Sequence, residues 1–227
     1  MQNNEILLQN YRKLIQRIKD CNKLYQSESE LLLVSKHLCC SQIEYIITNT
    51  EQRIFGENKV QDAIDKWSSI KEIHPGIKLH LIGKLQTNKI KKAVKLFDII
   101  ETVDSVELAR KITDEALKIG KKIQIFLQVN IGNEPHKNGI MLREFDEVFT
   151  KIKRDIVDVS GIMCIPPADG PAFFYFGHMN KIAKEYNISK ISMGMSADFQ
   201  TAIKFGSTQV RIGSFVYGNN NGAKLKD

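Results

Sequence analysis

Cysteine is scarce in this chain and has no pattern. Cys21, Cys39, Cys40 and Cys164 make no C-x-x-C spacing, and the adjacent Cys39–Cys40 pair is poor disulfide material. This argues against a disulfide scaffold and for a reducing, cytoplasmic setting. His37, His74, His80, His136 and His178 are scattered, with no H-x-x-x-H or Cys/His grouping, so no metal site is expected. Long apolar runs are missing too, because charges interrupt each one before it reaches membrane-spanning length, and no membrane association is expected. The amino end, MQNNEILLQNYRKLIQRIKD, lacks the apolar block and small-residue cleavage site of a secretory signal. No linker, repeat or low-complexity stretch divides the chain. The strand ends offer neither a carboxylate pair for glycoside chemistry nor a Ser-His-Asp set.

What is present suits one α/β barrel over residues 1–227: a length of 227 with 42% hydrophobic residues. Eight apolar runs of strand length recur, at 31–34, 53–56, 79–83, 97–103, 124–131, 159–165, 191–195 and 209–214. Several are continuously apolar, as parallel strands covered on both sides would be. Helical stripes separate them: Ile43, Ile46, Ile47; Val60, Ile64, Trp67, Ile70; Ile90, Val94, Phe97; Val106, Ala109, Ile112, Ala116; Leu142, Phe145, Val148, Ile152; Met179, Ala183, Tyr186; and Phe199, Ala202, Ile203 before Gly206. Asp104 and Glu107 resemble a capping box. An extra helix around 5–19, with Leu7, Tyr11, Leu14 and Ile18 inward, precedes the first strand. The pattern predicts a (β/α)8 TIM barrel with an extra N-terminal helix; an open doubly wound sheet is the alternative. The polar tail, 219–227, is expected to fray.

The net charge is +7, from 33 basic and 26 acidic residues. The densest basic run is Lys84, Lys89, Lys91, Lys92 and Lys95. No aromatic residues interleave with it as stacking platforms, so a solvated helix face is preferred over a nucleic-acid surface.

Function in such a barrel sits at the carboxyl ends of the strands. There the stretch Ile191–Ser214 and Lys36 together suggest a pocket for a phosphorylated aldehyde. Ser196, read as the start of a helix, offers a hydroxyl and free N–H groups; Ile212-Gly213-Ser214 offers a turn open to a ligand and a second hydroxyl. Taken singly, Ser196 is equally a helix cap and Gly213 equally a turn. Lys36 ends the apolar run LLLVS, where its surroundings would keep an amine partly neutral and able to condense with an aldehyde; the bland alternative is a lysine snorkelling out of the mouth. Arg211 would face a pyridine nitrogen, and since a guanidinium only donates, it would disfavour ring protonation and weaken the ring as an electron sink. A structural salt bridge is the alternative for Arg211. Met193 reads as core filling or a pocket wall, His80 as a core histidine or a mouth residue, and Asn58 as a ligand contact or a helix cap.

These residues sit in longer matching pieces: VSK at 34–36, FGENKVQ at 55–61, HLIGKLQTNK at 80–89, VDS at 103–105, QVNIGNEPHKNGI at 128–140, GIMCIPP at 161–167 and SMGMSADFQTAIKFGSTQVRIGS at 192–214. Together they resemble the pyridoxal 5′-phosphate homeostasis protein family, which is similar to the amino-terminal barrel of alanine racemase. The resemblance runs from about residue 31 to Gly218. It implies that Lys36 holds pyridoxal 5′-phosphate as a Schiff base, that Ser196, Gly213 and Ser214 hold the phosphate, and that Arg211 faces the ring nitrogen. Asn58, His80, Met193 and Ile212, read from their places at the strand ends, complete the expected cofactor-binding set. The resemblance further implies a cytoplasmic, monomeric protein without established turnover that acts in intracellular cofactor homeostasis, with pyridoxal-phosphate-dependent apoenzymes as recipients. A racemase-like enzyme is the alternative. Departures from the family pattern are Leu79 in place of an aromatic, Leu81 in place of Phe or Met, and Ser214 where threonine is frequent.

Overall fold

A computed structural model describes residues 2–155 and 159–218. The chain opens with α1 (Gln2–Tyr25) and then alternates strand and helix: β1 (Glu30–Val34), α2 (Cys40–Asn49), β2 (Ile54–Glu57), α3 (Val60–Ile73), β3 (Lys78–Leu81), α4 (Ile90–Leu96), β4 (Ile99–Val103) and α5 (Val106–Lys118). It continues through β5 (Gln124–Asn130), β6 (Ile140–Met141), α6 (Phe145–Asp155), β7 (Val159–Cys164), α7 (Ala172–Glu185), β8 (Ile191–Ser192), α8 (Phe199–Lys204), β9 (Gln209–Ile212) and α9 (Ser214–Tyr217). All pairings are parallel, in the order β4-β3-β2-β1-β9-β8-β7-β5, and β4 also pairs with β5. That last pairing closes an eight-stranded barrel and rules out the open sheet. The short β6 joins only the far end of β5, at Val129 and Asn130.

Side-chain alternation explains why the sequence closes this way. Leu31, Leu33, Phe55, Leu79, Leu81, Ile125, Leu127 and Val210 point outward and join the helices in one continuous core. Ile43, Ile46 and Ile47 of α2 and Val60, Ala63, Trp67 and Ile70 of α3 meet them there. Each such burial contributes about 1.5–3 kcal/mol. Alternate residues face the interior, where Ile99, Phe126 and Met163 form a separate small apolar cluster. Leu7, Tyr11, Leu14 and Ile18 of α1 pack against the barrel as expected, but α1 is longer than the 5–19 pattern suggested.

Three local expectations shift. The cap of α5 is Ser105, whose Oγ accepts from the Leu108 N–H at 3.2 Å, rather than Asp104. Both residue types suit a cap, and Ser105 is the one in extended backbone before the first helical turn. β8 is cut to two residues because Gly194 takes φ +92, where a Cβ would collide with Ala202. The helix expected to start at Ser196 begins at Phe199, with Asp198 as its N-cap residue. The expected fraying of 219–227 lies outside the described residues. Among the described residues no helix is long and apolar enough to cross a membrane.

Candidate functional site

The strands that end in the predicted residues are neighbours in the barrel. β1 pairs with β9, Leu33 opposite Ile212, and β9 pairs with β8, Gln209 opposite Ser192. The Lys36 turn, the Gly213-Ser214 turn and the Ser196 turn therefore occupy one sector of the mouth.

Lys36 lies two residues beyond β1, exposed in a turn, and is not the desolvated amine expected from the apolar run before it. The turn itself is firmly held. The Ser35 N–H donates to Gly56 O at 3.0 Å and the Ser35 hydroxyl to Glu57 Oε1 at 2.8 Å. Lys66 Nζ reaches both Ser35 O at 2.9 Å and Glu57 Oε1 at 2.5 Å, and Trp67 Nε1 donates to the same carboxylate oxygen at 3.1 Å. Glu57 is 1% exposed and stands between β2 and α3, so the anchor lies outside the barrel wall.

On the opposite side of the sector, the Ser214 hydroxyl donates to Ser196 Oγ at 2.8 Å, giving two adjacent hydroxyls. Ser196 does not start a helix. It sits in a turn closed by Asp198 and Phe199 N–H bonds to Met195 O, at 3.1 and 2.9 Å, and by the Met195 N–H to Asp198 Oδ1 at 2.6 Å. The Ser196 and Ala197 N–H groups have no protein acceptor among the described residues, which leaves them for an anion. Burial pushes the Asp198 carboxyl above its ordinary value, with the Met195 N–H and then Arg211 opposing it.

Arg211 is buried beneath these hydroxyls. Its Nη1 donates to Ser192 Oγ at 2.9 Å and its Nη2 to Cys164 O at 2.8 Å. Ser192 donates onward to Glu101 Oε2 at 2.6 Å, while Gln209 Nε2 and His80 Nδ1 each meet Glu101 Oε1 at 2.6 Å. Glu101 is completely buried. Desolvation works to raise its pKa, but His80, Arg211 and Ser192 hold it below the ordinary carboxylate value. An acceptor-only carboxylate facing three donors is satisfied; an unpaired one would cost several kcal/mol. Burial pushes the neighbouring Cys164 thiol up to about 12, against the pull of Arg211. His80 thus belongs to the interior network and not to the rim. With Nδ1 donating to Glu101, its Nε2 is left buried and without a partner.

The other predicted residues separate. Met193 and Ile212 are fully buried in the outer core, so they border the site through backbone alone. Asn58 follows β2 and does not cap α3, since Lys59 holds that position. It lines a cavity of about 420 Å3 with Lys59, Gln61, Lys84, Gln86 and Lys89. Sequence patterns alone did not single out Ser35, Glu57, Lys66, Glu101, Ser192 or Gln209. Glu57 and Glu101 carried a usable signal: a carboxylate at the end of, or inside, an apolar strand, the same oddity that marked Lys36.

An exposed amine, paired hydroxyls with free N–H groups and a buried guanidinium suit a phosphorylated pyridine aldehyde. The comparisons agree. Residues 7–221 match the family described as alanine racemase, N-terminal domain. A pyridoxal phosphate homeostasis protein of Vibrio cholerae is 35% identical over 209 residues, covering 86% of this chain and 87% of that protein. The structure of PipY from Synechococcus elongatus with PLP bound superposes with a TM-score of 0.79 at 30% identity, covering 89% of this chain and 99% of that one. An alanine racemase of Clostridium difficile, 15% identical with a TM-score of 0.71, shares the fold; the present chain spans 59% of it. The chain belongs to the alanine racemase N-terminal domain family, and within it to the pyridoxal phosphate homeostasis proteins.

Proposed function

We propose that this protein binds pyridoxal 5′-phosphate, covalently through Lys36, and serves cofactor homeostasis rather than catalytic turnover. The observation that carries the reading is the adjacency of β1, β9 and β8, which gathers the Lys36 turn, the Ser196–Ser214 hydroxyl pair and Arg211 in one sector. When bound, the cofactor supplies an aldehyde that a primary amine captures with loss of water. The two serine hydroxyls and the Ser196 and Ala197 N–H groups would hold the phosphate. Arg211, restrained at both Nη atoms, would present only donors to the ring, which keeps the ring nitrogen unprotonated and the ring a weak electron sink. That favours holding the aldehyde over carbanion chemistry. The homeostasis proteins among the relatives support the same role; apoenzymes that require the cofactor are the recipients such a role calls for. Cys21, Cys39, Cys40 and Cys164 are all free thiols, in keeping with a cytoplasmic location.

The test is visible absorbance of protein loaded with pyridoxal phosphate, followed by borohydride reduction and peptide mapping. The reduced adduct is expected on Lys36. A Lys36→Ala variant that keeps the full wild-type visible band would overturn the reading.

A further inference from the structure

Tyr217 belongs to no group considered so far, and its position is unusual. The single turn of α9 folds it back over the strand it follows: the Val216 N–H bonds Gly213 O at 2.8 Å, and the turn ends at Gly218 with φ +64. Gly213 has φ −137, so no left-handed backbone demands glycine there. Space does. A Cβ there would collide with the Tyr217 hydroxyl and come within 2.8 Å of Val34 O. Gly213 is the N-cap residue of α9, directly past the end of β9, and the space its missing Cβ leaves lies against Val34 O of β1. The phenol has taken its place, where the ends of β9 and β1 meet.

Its ring is fixed from the other side as well. The His37 ring, one residue past Lys36, meets it edge-on with centroids 5.4 Å apart and an interplanar angle of 85°. Tyr217 is therefore clamped between the turn that carries the amine and the turn that carries Ser214. Tyr217 is half-buried, and its hydroxyl makes no hydrogen bond among the described residues, so the donor is available to a ligand. Burial first and Glu57 second push its pKa up to about 12, so the phenol keeps its proton and remains a donor across the physiological range.

We infer that Tyr217 is a further ligand-binding residue, whose hydroxyl donates a hydrogen bond to the phosphate of an aldehyde held between Lys36 and Ser214. It thereby helps the site distinguish a phosphate ester from the corresponding free alcohol. This rests on the proposed function of the site. A hydrogen bond from a neutral donor to a charged acceptor is stronger than one between neutral partners, so the phosphate ester should feel the loss of the hydroxyl far more than the alcohol does.

The experiment compares wild type with Tyr217→Phe, which keeps the ring and its packing on His37. Both are titrated with pyridoxal phosphate and, separately, with pyridoxal, following the visible band. The expected result is about tenfold weaker binding of the phosphate ester by the variant, with pyridoxal binding unchanged within about twofold. Equal affinity of the two proteins for the phosphate ester would overturn the inference. So would an equal loss for both aldehydes, because the phenol would then be acting through packing alone. If wild type showed no Lys36 adduct with either compound, the reading of the site would fail along with the inference. An adduct in wild type combined with unchanged ester binding in the variant removes the role of Tyr217 only.

Discussion

Glu57 and Glu101 are both buried carboxylates, and each supports one half of the candidate site, but they do so from opposite sides of the barrel wall. Glu57 faces outward, toward α3, and holds the Lys36 turn through Ser35, with Lys66 and Trp67 as its other donors. Glu101 faces inward and holds Arg211 through Ser192, with His80 and Gln209 completing its shell. The two carboxylates share no donor. The amine half and the ring half are therefore separately supported, and they meet through the pairing of β1 with β9 and the Tyr217–His37 ring contact. Groups meant for ligand are left unspent at the rim, while both oxygens of Glu101 and Oε1 of Glu57 are held by donors.

The largest expected effect comes from breaking the inner support. Glu101→Gln would put an amide among groups that all need an acceptor, and urea unfolding at pH 7 should show a loss of about 3–5 kcal/mol. Because the folded carboxylate titrates below its ordinary value, its ionised form stabilises the fold above that ordinary range. The contribution fades as pH falls through the lower folded-state value. Wild type should therefore lose stability in that acid window, and the variant should show a flatter profile there. A variant with the wild-type acid slope would remove Glu101 from its assigned role.

Breaking the outer support should cost less. Lys66 keeps Ser35 O as an acceptor, so Glu57→Gln is expected to lose about 2–3 kcal/mol. The functional signature should differ from that of the inner variant. Loosening the Ser35 turn should lower the yield of borohydride-trapped Lys36 adduct without moving the absorption maximum, whereas the Glu101 change should move the maximum by disturbing Arg211. With no shared partner, the double variant should be additive within about 0.5 kcal/mol. A coupling energy well above that would mean the halves are one network.

Ser192→Ala probes the finest link of the inner half. It removes the hydroxyl that accepts from Arg211 and donates to Glu101. The guanidinium and the carboxylate have opposite charges and can close on each other, so the loss should be only about 1 kcal/mol by urea unfolding. The guanidinium would shift toward Glu101 and away from the ring, and pyridoxal phosphate should bind a few-fold more weakly with the Lys36 adduct intact. An unchanged affinity would separate Ser192 from the site.

How much of this was legible in the sequence follows from the range of each interaction. Outward strand residues such as Leu33, Phe55 and Leu127 sit in continuous apolar runs, and the strand–helix alternation they create specifies a barrel. Lys36, Ser196, Arg211, Gly213 and Ser214 could be gathered because strand ends in a barrel converge on one face. The supports could not. Glu101 meets Ser192 and Gln209 across separations of 91 and 108 residues, contacts set by barrel closure and by which way each side chain faces. The start of α8 was misplaced for a different reason: Ser196 and Asp198 are both capping residue types two positions apart, and only the Met195 turn selects between them. β6, at two residues, leaves no periodic trace.

The smallest effect is expected on the β2–β3 side of the mouth, where the comparison between supported and unspent groups takes a purely electrostatic form. Lys59, Lys84 and Lys89 converge on one cavity beside Asn58, and none forms a salt bridge among the described residues, whereas Lys66, Lys71, Lys111, Lys118, Lys137 and Lys151 all do. Lys84 makes one surface hydrogen bond, to Asn138 Oδ1 at 2.8 Å, and none of the three pairs with a carboxylate, so changing all three to Ala should alter stability by no more than about 1 kcal/mol. They do set a positive field at the entrance that an anionic ligand must cross. Stopped-flow association of pyridoxal phosphate should therefore slow severalfold in the triple variant at low salt. The difference should vanish near 1 M salt, where screening acts over about 3 Å. A slowing that persists at high salt would mean these lysines touch the ligand directly, and the β2–β3 rim would then count as a third half-built part of the binding site.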